Sequence, residues 1–116
     1  MRRQILPFLF LLLLISCTSV SGNVDGVSGV WKNKKVMIEN GTTSSIYYFA
    51  VEQGVSEVIN WAPHSSEDNK VKRFSSLSLD NNDVYGFEEG KKVIIYYWSV
   101  KDPKLEQIKG IVVNTN

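Results

Sequence analysis

With 116 residues the chain has room for one domain rather than two. It carries 13 basic and 12 acidic side chains, and setting Arg2 and Arg3 aside with the N-terminal segment leaves 11 against 12. So even a balance gives no electrostatic case for holding nucleic acid, and a single cysteine excludes an internal disulfide, so packing must supply the stability.

Arg2 and Arg3 open the chain, and no acid occurs before Asp25. Ile5 to Ile15 is an apolar run of 11 residues with Pro7 near its start, whereas a membrane-crossing helix needs about 20. A short apolar core behind a basic start predicts a cleaved signal peptide over 1–16. A buried helix would need a polar stripe that this leucine tract lacks. Leu14-Ile15-Ser16-Cys17 resembles the lipobox of bacterial lipoprotein precursors. That resemblance implies a diacylglyceryl thioether on Cys17, cleavage before it, and often a further acyl group such as palmitate on its amine. Acyl burial contributes about 0.8 kcal/mol per CH₂, so two or three chains hold a small domain to a membrane. A residue other than aspartate after the cysteine, here Thr18, implies the outer membrane if the bacterium is Gram-negative.

Residues 17–29 read as a flexible tether, with Gly22, Gly26 and Gly29 among small polar residues. The domain is then expected over 30–116. Lys35 to Glu39 predicts a short strand ended by the turn pair Asn40-Gly41. Ser45 to Glu52 is aromatic and β-branched, as strands are, and a short helical turn fits Gln53 to Glu57. Val58 to Trp61 predicts a third strand, stopped by Pro63, with a polar loop from His64 to Lys70. Arg73 to Leu79 alternates, and Asp80 to Asp83 reads as a turn. Val93 to Val100 is the strongest strand, Asp102-Pro103 breaks it, and Ile108 to Val113 closes the domain. Six or seven strands without helical periodicity predict an all-β fold, a small antiparallel sandwich (Ig-like or similar) or a small barrel. Both faces of Val93–Val100 are apolar, which predicts a central strand covered on both sides or bearing an exposed aromatic patch.

Asn40-x-Thr42 before Ile46-Tyr47-Tyr48, then Trp61-Ala62-Pro63, then Gly86-x-x-x-Gly90 before Val93–Trp98, resembles a group of small bacterial envelope proteins. The resemblance spans Val36 to Val100. It implies a lipid-anchored or secreted β-sandwich and brings no catalytic residues. Where some relatives have paired cysteines after the Trp-Ala-Pro segment, this chain has His64 and Ser65.

Chemistry-bearing residues are sparse. His64 is the only histidine and metal sites commonly use several, so no metal or cofactor is expected. Asp80, Asn81, Asn82 and Asp83 lack the glycine and distant glutamate of a calcium loop. No nucleophile motif accompanies His64, and no catalytic residue is assigned. The carboxylates of Glu88-Glu89 or Glu52 and Glu57 would serve a small hydrolase only if they faced each other across a cleft. The aromatic content is the strongest lead. Tyr48, Trp61, Tyr96 and Trp98 are the candidate binding surface, since Trp and Tyr often dominate interface energetics, although a sandwich core would use the same residues. Asn40-Gly41-Thr42 matches a glycosylation sequon and reads as a turn. The functional expectation is a membrane-anchored, non-enzymatic module that binds an envelope protein or supports an envelope assembly; the alternative is a glycan-binding module.

Overall fold

Asp25-Gly26 and Asn33-Lys34 all take positive φ (52°, 91°, 53° and 61°), the backbone of a two-residue hairpin turn whose twist matches that of the strands. In the computed structural model, which describes residues 20–116, these turns join β1 (Val20–Val24), β2 (Val27–Lys32) and β3 (Lys35–Asn40) into a meander. The chain then passes to a second sheet through β4 (Ile46–Glu52), the single helical turn α1 (Gln53–Ser56) and β5 (Lys70–Val71). It returns to the first through β6 (Ser75–Leu79) and ends in the second with β7 (Val93–Trp98) and β8 (Lys109–Val113). The sheet orders are β1-β2-β3-β6 and β5-β4-β7-β8, every ladder antiparallel. The fold is the expected small all-β sandwich. The signal peptide assigned to 1–16 and the lipid site at Cys17 lie outside the described residues.

Two expectations need correction. The tether assigned to 17–29 is, from Val20 onward, a β-hairpin, so the sandwich includes the residues from Val20 to Gly29. Gly26 makes the turn, and Gly22 and Gly29 serve close approach rather than flexibility. A Cβ on Gly22 would lie 2.7 Å from Ile111 Cγ2 and 2.9 Å from the Val112 carbonyl oxygen, and one on Gly29 would lie 2.5 Å from Val113 Cγ2. Glycine is what lets β1 and β2 lie hard against β8. The strand expected at Val58 to Trp61 does not form. The amides of Val58 and Ile59 both donate to the Val55 carbonyl (3.0 and 3.1 Å), extending the turn of α1, and the segment crosses a sheet face instead of joining a ladder.

Strand alternation supplies the core. Val36 and Ile38 of β3, Val93, Ile95 and Tyr97 of β7, and Ile111 and Val113 of β8 point between the sheets and are almost fully buried. As its two apolar faces predicted, β7 is a central strand, flanked by β4 and β8. Tyr97 bridges the layers: its hydroxyl donates to the Val24 carbonyl of β1 at 2.5 Å. Beside it Lys109 of β8 forms an ion pair with Asp25 in the β1–β2 turn. At the opposite end Thr115 is buried; its hydroxyl donates to the Lys91 carbonyl (2.6 Å) and accepts from the Gly90 amide (3.0 Å).

Burial, and secondarily the Asp25 carboxylate, push the Tyr97 phenol up to about 12 from its ordinary 10.0. A raised folded-state value means the stabilisation is complete below pH 10 and fades as pH climbs toward 12. Denaturant midpoints are therefore expected to fall across that window, and Tyr97→Phe to make the fall shallower at some cost in stability at neutral pH. An unchanged alkaline profile in Tyr97→Phe would refute this role.

Candidate functional site

The outer face of the second sheet carries the aromatic residues. In register across β4 and β7, Tyr47 lies beside Trp98, Phe49 beside Tyr96 and Val51 beside Ile94; across β7 and β8, Tyr96 lies beside Gly110. After β4 the Glu52 carboxylate caps α1, accepting from the amides of Gly54 (2.7 Å) and Val55 (3.1 Å). That turn sends the following segment across the outer face. Trp61 settles there against Phe49, Tyr96 and Trp98, with ring centroids 4.6, 5.0 and 6.2 Å away. Such separations are those of favourable offset or tilted aromatic pairs. Trp98, at the bottom of the cluster, donates its indole N–H to Ser65 Oγ at 2.8 Å, and Ser65 in turn donates to the Lys101 carbonyl at 2.7 Å.

Beside this cluster runs an apolar groove of about 330 Å³ lined by Trp61, Pro63, Tyr96, Leu105, Ile108 and Gly110. Gly110 puts no side chain over the neighbouring Tyr96 ring, and a Cβ there would meet that ring only at an ordinary 3.6 Å. The far wall is a short 3₁₀ turn, Leu105–Gln107, which Gln107 stabilises by accepting the Lys104 amide (2.8 Å). Leu105 is 85% exposed on that wall. The Tyr96 hydroxyl and Trp61 indole are the only polar side-chain groups among the lining residues.

Of the four aromatic residues expected to form one surface, Trp61 and Tyr96 do meet, both half-buried. Trp98 joins them from beneath but is 1% exposed, so it supports the surface without being part of it. Tyr48 belongs elsewhere, because strand alternation points it to the other face of β4, against the core. It lines a second notch of about 270 Å³, whose walls include Phe49 and Trp98 from the aromatic cluster on one side and His64, Ser66, Asp68, Asn69 and Asp83 on the other. Burial and then the Asp83 charge raise the Tyr48 phenol above its ordinary value. Phe49, Leu105, Ile108 and Gly110 complete the outer-face site and were not among the expected residues.

Other candidates take on structural duties. Glu52 is occupied in capping α1, and Asp83 accepts the Asp80 amide (3.2 Å) in the predicted turn. Asn40 of the sequon is 2% exposed with its amide bonded internally, so it is a turn-holding residue. Among the described residues no three of His, Cys, Asp and Glu converge to hold a metal ion. No helix among them is long and apolar enough to cross a membrane. Compared with known proteins, the chain matches no family model, no curated protein and no solved structure.

Proposed function

We propose that this chain is a bacterial lipoprotein whose sandwich domain, held to the envelope membrane through lipid on Cys17, binds an apolar segment of an envelope protein in the Trp61–Leu105 groove. The carrying observation is the groove itself, where an uncovered Tyr96 face lies beside Leu105, an exposed leucine on a braced turn. Water is released from both surfaces when an apolar side chain enters, at roughly 25 cal/mol per Å² of apolar surface buried. A protein segment suits this lining better than a glycan does, because sugar hydroxyls need several polar partners and the lining offers two polar side-chain groups. The anchor adds proximity. Only Thr18 and Ser19 separate Cys17 from β1, so an acylated Cys17 would keep the domain close against the bilayer and its partners.

Two substitutions test the groove without burdening the fold. Leu105→Ser removes an exposed apolar wall, and Gly110→Val fills the floor where space exists for a side chain. Partners recovered with the chain from detergent-solubilised membranes are expected to drop about tenfold with either variant, the loss of one modest interface anchor. Undiminished recovery with both variants would reject the reading. A tryptophan-fluorescence response to envelope polysaccharides that Gly110→Val abolishes would replace it with glycan binding.

A further inference from the structure

A second surface points to self-association. The sandwich protects most of its sheet edges: β1 lies against β8, where Gly22 approaches the Val112 carbonyl, and β5 is only two residues long. The exception is β6 (SSLSL), the end strand of the first sheet, which pairs with β3 on one side and has no strand ladder on the other. Sheet edges are ordinarily guarded by lysine, proline or a bulge, since an open row of backbone donors and acceptors recruits another strand. Here the strand has no charge, no proline and an unbroken register with β3.

We infer that β6 pairs with β6 of a second copy, antiparallel about a two-fold axis through Leu77, joining two four-stranded sheets into one of eight. The charges flanking the strand favour this arrangement. Lys72 and Arg73 precede it, and Asp80 and Asp83 follow it, all four exposed; Asp80 is paired with Lys35 of β3 (2.9 Å), so Asp83 carries the acidic charge that faces outward. Antiparallel pairing about Leu77 sets the basic corner of each copy beside the acidic corner of the other, whereas parallel pairing sets like charges together. The strand's own pairs are compatible with the symmetry: Ser76 faces Ser78 of the second copy on the solvent side, and Leu77 meets Leu77 on the core side. This surface is distinct from the groove, and the two stand or fall separately.

The test is register-specific cross-linking of the full chain, extracted from membranes in mild detergent. Opposed residues in an antiparallel ladder have Cα atoms about 4.5–5.5 Å apart, within disulfide reach, while those displaced by two positions exceed about 7 Å. On mild oxidation with copper phenanthroline, a mixture of Ser76→Cys and Ser78→Cys chains is expected to form a covalent dimer. Each variant alone should form none beyond the background seen with the unaltered chain. Sedimentation of the unaltered chain should give a dimer mass, and the double variant Ser76→Lys/Ser78→Lys a folded monomer. A monomer mass for the unaltered chain overturns the proposal, as does cross-linking equal in mixed and single-variant samples.

Discussion

Asn40→Ala is expected to destabilise the domain by about 3 kcal/mol, read as a drop of roughly 15 °C in Tm by circular dichroism. The Asn40 side chain ends β3 and ties the β3–β4 loop to the end of β5. Its two Nδ2 hydrogens are shared among the carbonyls of Ser44 (2.8 Å), Val71 (3.1 Å) and Lys72 (3.1 Å), while its Oδ1 accepts from the Thr42 amide (3.0 Å) and hydroxyl (2.7 Å). Alanine would remove every one of these bonds at a position 2% exposed, leaving the Val71 carbonyl buried without this donor. Asn40→Asp is the sharper test. It keeps shape and one acceptor but turns an oxygen toward three carbonyl oxygens, so it is expected to be at least as damaging as alanine. A near-normal Tm for Asn40→Asp would show that the amide hydrogens do not organise this corner.

Gly29→Ala is expected to cost about 2–3 kcal/mol, an unusual penalty for one methyl group in a strand. The added carbon would stand 2.5 Å from Val113 Cγ2 and 3.0 Å from Ile95 Cδ1, and both neighbours are fully buried. Val113 is stiff at χ1, so relief requires β2 and β8 to move apart. Gly110→Ala provides the contrast within the same pair of sheets. Its new methyl would find only van der Waals contacts at 3.6 Å and should leave stability unchanged or slightly improved. Equal urea midpoints for the two variants would remove close approach as the reason for glycine at position 29.

Local pattern and long-range placement were legible to different degrees. Strands with strong β composition, at Ile46–Glu52 and Val93–Trp98, lie where propensity and turn residues put them, as does the helical turn at Gln53–Ser56. The N-terminal hairpin is hidden in the sequence because small residues and three glycines have the composition of a linker. The Asp25-Gly26 pair was the available signal, since it is a favoured hairpin turn. What no local pattern carries is which strand crosses above Gly22 and Gly29. Val58 to Trp61 misleads for a related reason: an apolar stretch that covers a sheet has the same composition as one that joins it. At the groove, Trp61 and Tyr96 were readable as aromatic residues needing a surface. Leu105 and Gly110 were not, because their relevance depends on the register that brings Gly110 beside Tyr96. The place of Tyr48 depends on the parity of β4, which separates it from Phe49 and which composition does not carry.

The contact between β1 and β8 also governs how the domain answers to a pull. Asp25 meets Lys109 at one end of this seam and Gly22 meets Ile111 further along, so the two strands run in opposite directions. A pull on the start of β1 against the end of β8 would therefore tear the seam progressively from one end, peeling rather than shearing, and so at low force.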